Sequence, residues 1–394
     1  MTRGPGPPVP PDRSRAAEAE DAMHHTPGGL RLETATTLDK VAAEDWDTLA
    51  EPEGFYLSHG WLRAVERESG AAVTYLLAYA GDRLVGGLPL YEIEHEHNKF
   101  YARKPRLDQM GAGGEWGVAG SHRGYSCGIP RAAEYADAVL DLLLDARARL
   151  NPASRTGSLF LFATNRTAAA LHRRGAAVDF DCGDATLHTG GVDFADYCGT
   201  LVSRRRIALK GEYARFLAAG YELGRQRLGE CLEEAVPLLA NLQAKYGHST
   251  GAAEIHRTFA DQAATLDDRS VVFTARRAGR LIGVSVMYEW RGTLYARATG
   301  FDYTALRGAY EYYGLCYYLP IDYMSERSLT ALHLGIGAYS AKVKRGARLV
   351  PLWTVALADD PADTPRPAPV DLTSWRDDHG SAVAPEDWRH PWTA

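Results

Sequence analysis

Three consecutive segments decide the reading of this chain: YARATGFDY (295–303), TALRGAYEYYGLCYYLPIDYMSERS (304–328) and LTALHLGIGAYSAKVKRGARLVP (329–351). The first reads as the end of a strand. The second reads as a long aromatic helix, and the third as a short strand followed by a basic loop. Lys342, Lys344, Arg345 and Arg348 crowd that loop, and no acidic residue stands between Gly335 and Leu357. A positive cluster after a strand suits a polyanionic ligand or a developing oxyanion.

Outward from this stretch, the pattern at residues 270–298 is a hairpin (270–276 and 280–290) followed by a third strand at 293–298. Two helices, 229–246 and 253–266, precede it. The same order appears earlier: helices at 39–49 and 58–69, then a hairpin at 73–80 and 83–91. Leu84-Val85-Gly86 matches Leu281-Ile282-Gly283, and Tyr91 matches Tyr288. The two copies lie roughly 200 residues apart, as in a duplicated α/β unit with a ligand cleft between the copies.

Residues 1–29 are rich in Pro, Gly and charge and are expected to be a disordered tail, with His24 and His25 as solvated polar residues. Residues 104–130 form a glycine-rich loop offering Glu115, Trp116, His122 and Tyr125 as pocket residues. A helix covers 132–150, a strand 158–163, a short helix 167–175 and a short strand 186–188. Residues 203–227 carry seven basic residues against Glu212 and Glu222. Such a run is most simply a solvated face, but Arg204, Arg205 and Arg206 would also suit phosphate contacts. After Leu357 a tail follows, whose Trp375, Trp388 and Trp392 point to docking on the body. The expected domains are therefore 1–29 (tail), 30–190, 191–357 and 358–394 (tail).

Composition bounds the function. The 394 residues are 45% apolar and 10% aromatic, values of a globular protein with a sizeable core. The net charge of −6 excludes a general nucleic-acid coat protein but not a local basic patch. Five cysteines without a CxxC pair argue for a reducing compartment. With neither a signal peptide nor a run of about 18 apolar residues, a cytoplasmic protein without a membrane span is expected. No G-x-S-x-G and no metal-spaced His/Cys cluster occurs. That pattern suits direct attack of an amine on an activated carbonyl, with no covalent enzyme intermediate and no metal.

The element order, with Leu315-Cys316-Tyr317-Tyr318 and Lys342-Val343-Lys344-Arg345-Gly346, resembles the GNAT acyltransferase superfamily. It is closest to the tandem branch of Fem-type aminoacyl-tRNA-dependent transferases and proteins of peptidoglycan biosynthesis or recognition. The resemblance implies an α/β (α+β) fold of two GNAT-like domains, 30–190 and 191–357, each a mixed, mainly antiparallel sheet flanked by helices. It implies an acyltransferase with aminoacyl-tRNA as co-substrate, no bound cofactor, and a small-molecule or cell-wall amine as acceptor. Acyl-CoA is the alternative donor, and a non-catalytic binding protein is a third possibility. Lys342 would stabilise the oxyanion or a terminal phosphate. Lys344, Arg345 and Arg348, with Arg204–Arg206 as further contacts, would hold donor phosphates.

Asp302, Glu311 and His333 are the proton acceptors on offer. Asp302 also suits a helix cap, Glu311 a solvated helix residue and His333 a core histidine. Tyr313 and Tyr317 would line the acceptor pocket with Glu115, Trp116 and Tyr125. Two positions depart from the family: Gly314 stands where a Glu often precedes LCYY, and Ala341 where a His often precedes the lysine. A full Q/R-x-x-G-x-G/A pyrophosphate loop is absent; Arg297-x-x-Gly300-x-Asp302 ends in an acid. This favours the aminoacyl-tRNA branch.

Overall fold

A computed structural model describes residues 29–68, 71–93, 96, 98–247, 250–368, 371–384, 388 and 390. The tail at 1–28, with His24 and His25, and Trp392 lie outside the described residues. The first part of the chain runs β1 (Leu30–Ala35), α1 (Ala43–Ala50), α2 (His59–Arg67), β2 (Ala71–Ala80), β3 (Arg83–Ile93), α3 (Arg103–Met110), β4 (Glu115–Ala119), α4 (Ala136–Leu150), β5 (Arg155–Ala163), α5 (Asn165–His172) and β6 (Ala177–His188). The second runs α6 (Phe194–Gly199), α7 (Ser203–Leu217), β7 (Glu222–Gln226), α8 (Leu228–Lys245), α9 (Ala252–Leu266), β8 (Ser270–Arg277), β9 (Arg280–Trp290) and β10 (Thr293–Phe301). Then follows α10, in which Glu311–Tyr313, a π turn at Gly314–Tyr318 and Leu319–Glu326 run on as one helix. The chain closes with β11 (Ala331–Gly335), α11 (Tyr339–Lys344), β12 (Arg348–Ala358) and α12 (Thr373–His379).

All twelve strands form one sheet, in the order β1-β2-β3-β4-β5-β12-β6-β11-β10-β9-β8-β7. Shifting each of the first six strands by six positions maps the sheet onto itself, so the duplication seen at Leu84–Tyr91 and Leu281–Tyr288 is carried by the whole topology. β4 pairs with β5 in parallel, and β10 with β11 likewise. The two units exchange their last strands: β12 lies against β5, β6 lies against β11, and β6 and β12 pair antiparallel at the centre. A strand from residues 191–357 thus completes the sheet of residues 30–190, and the reverse. The centre of the sheet is held by both units.

Several segments differ from the sequence reading. The glycine-rich loop at 104–130 contains α3 and β4. The basic loop is α11 leading into β12, a central strand. Pro351 argues against a central strand, because it cannot donate to a ladder. It is tolerated because β12 pairs with β5 only from Trp353 onward. The short strand at 186–188 is the end of the twelve-residue β6. Its acids hide the alternation, and each is paired: Asp179 with Gln109, Asp181 with Arg106 and Thr354, Asp184 with His333.

The chain after β12 docks. Trp388 is buried and its indole N–H donates to the Leu349 carbonyl at 2.7 Å. Trp375 stacks on it at 4.7 Å. No described helix is long and apolar enough to cross a membrane.

Candidate active site

A parallel strand pair that separates leaves a fork, and the fork between β10 and β11 is where polar groups gather. The two strands pair only over Thr293–Tyr295 against Ala331–His333. β10 then bulges between Ala296 and Ala298 and runs on with β9 to Phe301. A bulge bends its strand and increases the local twist, which here turns β10 away from β11. The corresponding fork between β4 and β5 is occupied by residues 120–127, whose Cys127 bridges Ala163.

His333 on β11 and Asp184 on β6 form the base of the open fork. His333 Nε2 lies 2.9 Å from Asp184 Oδ2, and both residues are buried. With Nε2 carrying the proton, Nδ1 is left as an acceptor. Tyr295, opposite His333 in the ladder, lies against its ring at 4.8 Å, and Tyr56 meets it edge-on at 5.9 Å. Tyr125 bends over from the first unit and packs on Gly335. There a Cβ would come within 2.8 Å of its ring, at a φ of +65°; only glycine serves both demands.

Four buried polar atoms of this cluster have no hydrogen-bond partner: Tyr56 Oη, Asp184 Oδ1, His333 Nδ1 and Arg297 Nε. Native interiors satisfy roughly nine in ten such atoms. Four of the sixteen left unsatisfied among the described residues gather at this fork, where a ligand or water could complete them. Burial holds the Tyr56 phenol well above its ordinary pKa, so it keeps its proton and offers an unused O–H donor. The fork therefore has a proton acceptor oriented by a carboxylate, a neutral donor and a cation.

The other residues singled out from the sequence fall elsewhere. Lys342 is buried, and its ammonium donates to the carbonyls of Leu334, Gly335 and Ile336 at 2.8, 2.7 and 2.9 Å. An ammonium has three protons, so none is left for an oxyanion or a phosphate in this arrangement. Burial lowers its pKa to about 8, with Asp184 and Cys182 opposing the shift. Arg345 is buried too. It donates to Glu212 at 2.6 Å and stacks on Tyr313 at 3.2 Å and Tyr317 at 5.2 Å. That cage uses both tyrosines and the arginine to fasten α7 to α10. Tyr313 and Tyr317 are thereby placed in the cage, away from Tyr125. Lys344 and Arg348 are exposed.

Asp302 caps the turn after β10. It accepts from Thr304 N and Oγ1 and pairs with Arg280 at 2.5 Å. Glu311 is buried, its carboxylate turned into the loop that precedes α10. It accepts from Arg307 N at 2.7 Å, Ala309 N at 2.9 Å and Tyr221 Oη at 2.6 Å. These bonds hold its pKa below the usual value, against the effect of burial. Glu115 and Trp116 line a separate open cavity of about 1070 Å³ beside α3, with Arg103, Lys104 and Arg155 on its rim. His122 is buried near Glu96, and burial lowers its pKa to about 3. Arg204 is exposed, and Arg205 and Arg206 are half-buried, on the outer face of α7 beside the exposed Val202 and Ile207.

Tyr56 and Asp184 do not stand out from the sequence as site groups, and Arg297 appears there only in an incomplete pyrophosphate-loop pattern. The signal for Asp184 is the line of acids along β6, a strand in which only paired acids are tolerated. Tyr56 carries no local signal. Gly314 also finds its reason here: a Cβ would sit 2.4 Å from the Phe216 ring. We expect Gly314→Glu, which restores the residue common in the family, to lower stability by about 3 kcal/mol or more through overpacking. Denaturant unfolding checks this, and Phe216→Ala in the same chain is expected to recover part of the loss.

A family profile described as FemAB-like, peptidoglycan biosynthesis/recognition, matches residues 123–362. No curated protein matches the chain. Among solved structures, FemX superposes with a TM-score of 0.60 at 10% identity, covering 84% of this chain and 98% of that one. L-PGS from Bacillus licheniformis gives 0.53 at 12%, covering 81% and 92%. The C-terminal domain of a putative lysylphosphatidylglycerol synthetase from Agrobacterium fabrum gives 0.52 at 10%, covering 82% and 93%. At such identities these likenesses establish the fold.

Proposed function

The chain belongs to the FemAB-like family and is an acyltransferase, and from that premise we propose that it joins the aminoacyl group of a charged tRNA to an acceptor amine on a small metabolite or cell-wall precursor. The amine enters the β10–β11 fork and attacks the ester carbonyl. His333 Nδ1 takes the amine proton while Asp184 holds the ring in the required tautomer. The Tyr56 O–H is the available donor to the oxygen that gains charge. The C–N bond forms, the C–O ester bond breaks, and the proton passes to the departing ribose oxygen. Charged tRNA sets such a reaction in the cytoplasm.

The observation that carries the choice of donor is Glu311. An acyl-CoA enzyme of this superfamily binds pyrophosphate on backbone N–H groups where the strand turns into the helix. In this chain the N–H groups of Arg307 and Ala309 are already taken by the Glu311 carboxylate. A second anion there would meet a filled and negatively charged seat. The basic outer face of α7, with Arg204, Arg205 and Lys210, supports the polyanionic donor instead.

The test is retention of aminoacyl-tRNA and of acetyl-CoA by the full chain at about 50 and about 200 mM salt. We expect retention of charged tRNA that falls steeply with salt, and a salt slope about 2 smaller for Arg204→Ala/Arg205→Ala. Salt-tolerant binding of acetyl-CoA without tRNA binding would refute the proposed donor.

A further inference from the structure

Arg131, Arg147 and Arg345 are the buried arginines of the described core, and each has a carboxylate. Glu53 lies 3.7 Å from Arg131, Asp359 2.8 Å from Arg147, and Glu212 2.6 Å from Arg345. Arg297, half-buried on the β10 bulge, differs. Its guanidinium lies between the Trp61 ring at 5.1 Å and the Tyr125 ring at 5.3 Å. Nη1 donates to Tyr125 Oη at 3.0 Å. Nε is buried and unpartnered, as it is in Arg131, Arg147 and Arg345, but no carboxylate pairs with Arg297 among the described residues. Its neighbours are phenols: Tyr125, Tyr101, Tyr56 and Tyr288. An arginine cannot shed its charge to escape such a place, and an unpaired charge removed from water costs several kcal/mol. A fold that keeps one there, where β10 and β11 part, has a counter-charge to receive.

We propose that Arg297 anchors a carboxylate of the acceptor, so that the fork takes an amino carboxylate, its amine at His333 and its acid on the Arg297 edge. The assignment rests on the reading of the fork as the acceptor site. Trp61 lies against the guanidinium, and Tyr125 takes up its Nη1 corner. The Nε–Nη2 edge presents two parallel N–H groups, the pattern that a planar carboxylate meets with two oxygens. Charge counting separates this from a diphosphate. The neighbouring cations are committed: Lys342 to three carbonyls, and Arg123 to Glu96 at 3.2 Å. Among the described residues of this cluster, one free positive charge is left to balance one carboxylate. The walls of Trp61, Tyr56 and Tyr125 favour a small organic acid over a hydrated inorganic anion.

The test needs no turnover, so its failure is separate from failure of the proposed transfer reaction. The Arg297 Nε–H resonance of the full chain, assigned by its loss in Arg297→Gln, is followed while acetate, acetamide or phosphate is added at constant ionic strength. We expect a saturable shift with acetate and none with acetamide. No saturation with acetate, or saturation with phosphate alone, overturns the assignment. Melting of Arg297→Met gives a second decision. Removing an unpaired charge is expected to leave the melting temperature at or above that of the wild type. A fall of more than about 5 °C would make Arg297 a structural residue and overturn the proposal.

Discussion

His333→Gln is expected to lower aminoacyl transfer by about a thousandfold while the protein stays folded, within the range general-base removal commonly costs. Asp184→Asn is expected to lose less, about 10- to 100-fold, because the amide oxygen still accepts from Nε2 but no longer stabilises an imidazolium. Single-turnover rates with charged tRNA and an amine-bearing acceptor provide the measurement, with melting curves run in parallel. Geometry is the ground for both expectations. His333 Nδ1 is buried, unpartnered and opposite a strand that turns away. A core histidine serving only packing would have both nitrogens satisfied or one facing water. If His333→Gln keeps full turnover, the fork is not the reaction centre. If it unfolds the chain, Tyr295→Phe alters the packing against the same ring while keeping the nitrogen, and its turnover is expected to persist.

Lys342→Met is expected to act on stability first. Three carbonyls at the end of β11 lose their donor, two of them on buried residues. Each unmet buried carbonyl costs roughly 1–3 kcal/mol, partly returned because an ammonium no longer has to be kept out of water. A net loss of about 3 kcal/mol follows. Turnover should survive below the new melting point. An oxyanion role would give the reverse: lost turnover and unchanged melting.

The pH dependence separates the two further. Burial brings the folded pKa of Lys342 down to about 8, from 10.5. Between those values the unfolded chain holds the proton and the folded chain does not. Stability from this group therefore rises with pH across that window, by about 3 kcal/mol in total. Below pH 8 the penalty for the buried charge is fully present. Lys342→Met should lack this rise, so wild type and variant are expected to diverge as pH passes from 8 toward 10.5 in equilibrium unfolding.

The duplicated hairpins were legible because Leu84–Tyr91 and Leu281–Tyr288 keep their pattern within contiguous residues. The fork was legible only in part. His333 and Tyr125 stood out as residue types in glycine-rich surroundings, but their partners come from distant strands. Asp184 reaches His333 only because β6 crosses to β11, and no local pattern announces a strand exchange. The lysine and arginine of the K-x-x-R-G block were legible as a cluster, and their direction was not. Sequence shows charge, whereas α11 turns Lys342 and Arg345 inward and leaves Lys344 and Arg348 out. Glu311 looked like a solvated helix residue because the loop that folds back on it has no signature of its own.

The exchange of β6 and β12 also sets a timetable for the nascent chain. β5 is synthesised about 185 residues before its native neighbour β12 begins, roughly 10–40 s at ordinary elongation rates. During that interval β5 has an unpaired edge, and β6 is the nearest strand able to cover it. An early half that closes on its own β6 would have to reopen before β12 can enter between β5 and β6. Slow release from the ribosome, or a chaperone that keeps β6 from settling, would favour the native pairing, and a fragment ending near residue 190 would be free to close the other way.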